Sequence, residues 1–427
     1  MTTLGRREGG TGASAATLAL GRHRARDGSG AGAVALDTDG PHAAVVVGKR
    51  GSGKSHTLGV LAEGLAAAPG VTPVVLDTMG EFAGLASAPR VGDGDASSAD
   101  GDASGADGDA ITVVRRPRVR AVDLPARAWP SLVGLNPTTP AGGLVWHAVA
   151  TTDSLAAARQ TLASADDSSV DDSAVGDSPV DDLAVDPGTR RVATNHLRRA
   201  AAWDVFDPEG LRPRALLTDG TPTVLDCAAL PDPATDAVCR VVARGCYEHC
   251  LADETAVLPW LLIDEAHVRF DGVAGPALDR LFTRGRSPGV SVVCATQRPA
   301  ALPGTAVSQS DLLVAHRLTS RADVTALTET RPSYLDGSLH ERLPDRRGVA
   351  LVVDDTTEVA HTVRVRERRT PHDGGSPRAS DRVADRPDTD DGSDSIDGSD
   401  THRDSLPRDS LRSAPRPKPS RRSETHE

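Results

Sequence analysis

Short, mostly apolar runs alternate with stretches of helical periodicity through most of this chain. The runs are Ala43–Val47, Val74–Asp77, Ile111–Arg115, Thr223–Cys227, Leu258–Ile263, Val290–Ala295 and Asp311–Leu318. Runs of this length, bounded by turn residues, predict strands buried on both faces. Helical spacing predicts helices over His56–Ala68, within 143–165, and over Thr194–Phe206, Asp232–Ala252, Ala277–Arg284 and Arg321–Thr330. Such alternation calls for an α/β fold, a mostly parallel central sheet covered by helices. Val34–Asp37 predicts a short strand before the first run, and Gly348–Val353 with Glu358–Val365 a closing hairpin. No solenoid-type repeat is visible.

The pattern fails in four places. Residues 1–32 are poor in bulky apolar groups and predict a flexible segment. Two inserts, about 92–110 and 166–187, are built of Asp, Ser, Gly and Ala, with too little apolar surface to fold. The tail 369–427 turns to Asp, Ser, Arg and Pro and is expected to be disordered. One packed domain over 33–368 remains.

Composition adds a chemical constraint. Net charge is −12 and aromatics make up 2%. Of 48 Lys and Arg residues, only Lys49, Lys54 and Lys418 are lysines. An acidic, Asp-rich surface suits a salt-rich cytoplasm, where a short Debye length screens its self-repulsion; high-GC codon bias is a second route to the Arg excess. Five cysteines, an odd number, indicate a reduced intracellular protein. Cys246, His249 and Cys250 lie close together but fit no ordinary zinc spacing. With no leader and no apolar run of the ~20 residues that span a bilayer, the expectation is a cytoplasmic protein with no membrane segment.

Two of the three lysines fall in Gly48-Lys49-Arg50-Gly51-Ser52-Gly53-Lys54-Ser55, a match to the phosphate-binding loop G-x-x-x-x-G-K-[ST]. It follows the Ala43–Val47 run and opens a helix, the context in which backbone N–H groups converge on phosphate oxygens. Residues 48 to 56 are the nucleotide-binding candidates, with Lys54 reaching the β- and γ-phosphates of ATP and Ser55 holding Mg²⁺. The strand Leu258–Ile263 delivers Asp264 and Glu265 to the carboxyl edge of the sheet, where open α/β folds bind ligands. Asp264 is the second Mg²⁺ candidate, and Glu265 the base that orients and deprotonates water. Gln297, ending the next apolar run, is placed to sense the γ-phosphate. Arg284 or Arg286, in the loop before that run, could reach a neighbouring subunit's nucleotide through a planar guanidinium.

The segments GKRGSGKS, VVLDTMGEF, LLIDEAH, GRSPGVSVVCATQRP and SQSDLLVAHRL together resemble the HerA/FtsK class of P-loop ATPases, archaeal HerA-type proteins in particular. The resemblance spans roughly residues 41–365. It implies a RecA-like sheet and Mg²⁺-dependent ATP hydrolysis coupled to translocation or remodelling of double-stranded DNA, as in helicases. It gives Glu265 the catalytic role and Gln297 the sensor role, and lets Arg286 complete a neighbour's site. Asp77 and Glu81 fall where the class keeps acids. The class also implies a homo-hexamer and a NurA-type nuclease partner. The loop begins at Gly48, which leaves no room for the class's N-terminal β-barrel. The alternative is an ATP-dependent switch or scaffold that recruits a partner without moving DNA. No acceptor-binding or lid segment of a small-molecule kinase is recognisable.

Overall fold

The computed structural model describes residues 1–6, 16–25, 29–87, 111–167, 186–218, 220–329 and 339–372. Most of the two acidic inserts and of the tail lie outside the described residues. The strands are β1 (Thr2–Leu4), β2 (Thr17–Arg24), β3 (Gly30–Asp37), β4 (Ala43–Val47), β5 (Val71–Asp77), β6 (Thr112–Arg115), β7 (Thr223–Asp226), β8 (Leu258–Ile263), β9 (Ser291–Thr296), β10 (Leu312–Ala315), β11 (Val349–Asp354) and β12 (Val359–Val365). They form one sheet in the order β1-β3-β2-β12-β11-β10-β4-β9-β8-β5-β7-β6. From β10 to β6 every pairing is parallel. From β10 back to β3 every pairing is antiparallel, and β1 closes the row parallel to β3.

Side chains on a strand alternate between faces, so an all-apolar run must have cover on both. In β4, Val45 and Val47 pack with one core cluster while Ala44 and Val46 pack with the other. The first cluster takes in the helices Pro140–Ala150, Leu155–Asp167, Pro187–Ala201, Asp232–Leu251 and Gly275–Arg284. The second is built on the helix α1 (Lys54–Ala66), through Leu58, Val60, Leu61 and Leu65, with Leu18 and Leu20 of β2.

Three expected boundaries are corrected. Residues 1–32 hold β1, β2 and the start of β3, all paired in the sheet. β2 lies in an antiparallel wing and needs few apolar side chains: Leu18 and Leu20, two apart, carry its buried face. Asp186 and Pro187 do not belong to the second insert: Asp186 caps the helix Pro187–Ala201 by accepting from Gly188 and Thr189 backbone N–H groups. The packed chain also runs past 368, because Thr370 is buried and bonded to Glu63 of α1.

Candidate functional site

β9 lies between β4 and β8, with Val47 level with Thr296 and Ile263 level with Cys294. All three strands are parallel, so the residues after their carboxyl ends emerge at one edge of the sheet: the phosphate loop, Gln297, and the acids Asp264 and Glu265. Fold topology alone brings these segments together from far apart in sequence.

The loop closes onto α1 at Gly53, whose backbone φ is 125°. No side chain caps the helix start, and its first turn holds no acidic residue. This uncapped N-terminus, with its partial positive charge, is the feature that fits a phosphate. An added Cβ at Gly53 would stand 3.2 Å from Cε1 of His316, in a backbone region that other residues rarely adopt. Gly53→Ala is therefore expected to distort the loop and weaken nucleotide binding tenfold or more, on a strain of ~1–3 kcal/mol. Calorimetric titration with an ATP analogue checks this; unchanged affinity would refute it.

Lys54, first residue of α1, is buried, and burial lowers its pKa against the opposing charges of Glu265, Asp264 and Glu81. Ser55 Oγ donates to Asp264 Oδ2 at 3.1 Å. A hydroxyl beside a carboxylate is a hard-oxygen pair of the kind Mg²⁺ selects. Burial, then the neighbouring Glu265 charge, pushes Asp264 up to about 6; a bound cation would favour its ionised form.

Glu265 adopts a left-handed backbone, φ 48°, immediately before the short helix Ala266–Asp271. Non-glycine residues held there carry strain and cluster at functional sites. Its carboxylate Oε1 accepts from Gln297 Nε2 at 2.5 Å. Oε2 lies 3.5 Å from Nδ1 of His267, which is 3.0 Å from Thr296 Oγ1. Burial lowers the His267 pKa and favours a neutral ring. Glu265, Gln297, His267 and Thr296 thus form one polar cluster beside Asp264.

A family model for the central domain of the helicase HerA matches residues 21–118. Among solved structures, VirB4 of Thermoanaerobacter pseudethanolicus aligns with a TM-score of 0.55 at 16% identity, over 83% of this chain and 97% of that one. The bacterial conjugative coupling protein TrwB, in its unbound monoclinic form lacking the N-terminal segment, aligns with a TM-score of 0.53 at 16% identity, over 79% and 88%. TrwB solved with ADP and Mg²⁺ aligns at 0.52 and 15%, over 85% and 97%. At these identities the structural likeness is one of fold. No curated protein matches in sequence. The family match thus covers residues 21–118, and the fold shared with VirB4 and TrwB extends over most of the chain.

Arg286 stands apart from the other site candidates. It pairs with Asp311 Oδ2 at 3.1 Å. Asp311 also accepts from the N–H of Ala43, first residue of β4, and lies 2.8 Å from His42 Nδ1. That is the end of β4 opposite the loop. Burial would raise the Asp311 pKa, but His42, Ala43 and Arg286 outweigh it and hold it low. Arg284 is exposed at the end of its helix. Asp77 organises a turn: its carboxylate accepts from the N–H groups of Met79, Gly80, Glu81 and Phe82.

Sequence reasoning assigned no role to His316, which lies beneath the loop. Its backbone N–H donates to Val47 O at 2.8 Å. Its Nδ1 is 3.0 Å from Val349 O, which can only accept, so Nδ1 carries the proton and Nε2 accepts from Thr57 Oγ1 at 2.9 Å. Beside it, Lys49 N–H donates to Arg317 O and Gly348 N–H to Ser52 O, so β10 and β11 brace the loop from below. Among the described residues no helix is long and apolar enough to cross a membrane. All five cysteines are buried and free.

Proposed function

We propose that this protein is an ATPase of HerA/FtsK type that binds ATP with Mg²⁺ and uses its hydrolysis to move or remodel double-stranded DNA. The observation that carries the reading is the convergence of the uncapped loop, the Ser55–Asp264 pair and the Glu265–Gln297 pair at one sheet edge. The loop backbone from Gly48 to Gly53, with Lys49 and Arg50 flanking and His56 beyond, holds the triphosphate; Lys54 neutralises its β- and γ-oxygens. Ser55 and Asp264 would hold Mg²⁺, which would supply charge neutralisation at the phosphates. Glu265 takes the proton of the attacking water. Gln297 has two calls on its amide, the Glu265 carboxylate and a γ-phosphate oxygen, so phosphate loss changes how the base is held. Arg286 is held at the start of β4, the end opposite its own loop. It would act only in a head-to-tail assembly that sets one copy's β4 start against the next copy's loop edge.

DNA enters through the HerA family model, since the net charge of −12 does not itself attract a polyanion. The test is steady-state ATP hydrolysis in molar KCl with Mg²⁺, with and without double-stranded DNA. A severalfold rise with DNA is the expected result. Turnover indifferent to DNA would sink the motor reading and leave a nucleotide-driven switch.

A further inference from the structure

β12 is followed by a strap, Arg366–His372, that doubles back along α1. Arg366 fixes its start: the N–H donates to Leu20 O, and the guanidinium reaches Ala19 O, Val60 O and Glu63 Oε2. Glu63 Oε1 then accepts from the N–H groups of Arg369 and Thr370, each at 2.9 Å, and from Thr370 Oγ1 at 2.7 Å. Burial alone would raise the Glu63 carboxyl; the bonds from Thr370, Arg366 and Arg369 outweigh it and hold it below its usual value. Arg368 is buried against Gly59, where a Cβ would come within 2.6 Å of its Nε, and its guanidinium lies over the Phe82 ring at 5.9 Å. A glycine inside a helix costs about 1 kcal/mol; here it makes room for the strap.

The strap ends at the start of α1. His56 Nε2 donates to Arg366 O at 2.8 Å. The His56 ring meets that of His372 edge-on, centroids 5.8 Å apart at 85°. His56 directly follows Ser55, so this imidazole pair stands just past the phosphate loop.

Sheet order tells which end of a nucleotide comes here. Glu265 and Gln297 follow β8 and β9, on one side of β4; the strap follows β12, on the other. A triphosphate with its γ end toward Glu265 and Gln297 directs its nucleoside away from them, past His56. We propose that His372, positioned by the Glu63-anchored strap, forms with His56 the base-binding wall of the site, the His372 ring stacking on the purine of ATP. This rests on the nucleotide reading above. An imidazole offers an aromatic face for the base and a polar edge for the ribose.

The test is calorimetric binding of two probes to the full chain with Mg²⁺: a non-hydrolysable ATP analogue and inorganic tripolyphosphate. His372→Ala should weaken the analogue about tenfold, the scale of one lost aromatic–base contact, and leave tripolyphosphate unchanged. His372→Phe, which keeps a stacking face, should restore most of the loss. Analogue affinity unchanged in His372→Ala, or both probes weakened equally, overturns the proposal. Wild type binding neither probe, or Lys54→Ala binding tripolyphosphate as wild type does, would instead overturn the nucleotide reading itself, and this wall with it.

Discussion

Glu265→Gln is expected to cut ATP turnover by about 10²–10⁴-fold, the scale of a lost general base, while nucleotide still binds. The substitution is nearly isosteric. An amide oxygen at residue 265 can still accept from Gln297 Nε2, as Glu265 Oε1 does at 2.5 Å, so the cluster keeps its shape and loses only its proton acceptor. Removing that charge also relieves the neighbouring Asp264, whose pKa Glu265 helps to raise. Lys54→Ala should behave differently and lose binding as well, because it removes the cation proposed to meet the phosphates. Single-turnover hydrolysis beside equilibrium binding separates the two. A Glu265→Gln protein hydrolysing at the wild-type rate would remove Glu265 from the chemistry.

His316 carries the second large effect. Burial drives its pKa from 6.5 down to about 4 in the folded chain. Between those values the unfolded chain binds the extra proton, so stability rises with pH through that window. The contribution is complete above about pH 6.5 and fades as pH falls toward 4, amounting to roughly 3 kcal/mol across the window. Urea titrations should show about 2 kcal/mol of this gone by pH 5. His316→Leu should remove that share of the slope. It should also lower stability at pH 7 by ~1–3 kcal/mol for each group left without a partner, here Thr57 Oγ1 and Val349 O. A variant whose stability follows the wild-type curve from pH 7 to pH 5 would show that His316 does not titrate as described.

The central parallel strands β4, β5, β8, β9 and β10 were legible because they are buried on both faces and spell that out in apolar residues. The segments that meet at the sheet edge were legible because the loop 48–55 and the acid pair Asp264 and Glu265 are local in sequence. What escaped depends on contacts the sequence does not display. β2 mixes Leu18 and Leu20 with Gly21, Arg22 and Arg24, and looks like surface. Arg366, Arg368 and Arg369 look like the start of a solvated tail, and it is contacts with Glu63, some 303 residues before Arg366, that tie this segment to α1. His316 ends an apolar run without any local sign that Thr57 and Val349 enclose it. Arg286 is visible as an arginine, but its edge of the sheet is set by β4 and β10.

The placement of β4 also bears on how this protein is made. Its strand partners are β9 and β10, and His42 at its base bonds Ser291, 249 residues later. Contacts so distant in sequence form slowly. At bacterial-type synthesis rates of about 5–20 residues per second, Ala43–Val47 would leave the ribosome on the order of tens of seconds before either partner exists. The phosphate loop cannot be braced until then. The nascent chain, with this all-apolar strand still unpaired, is where this fold is most open to aggregation.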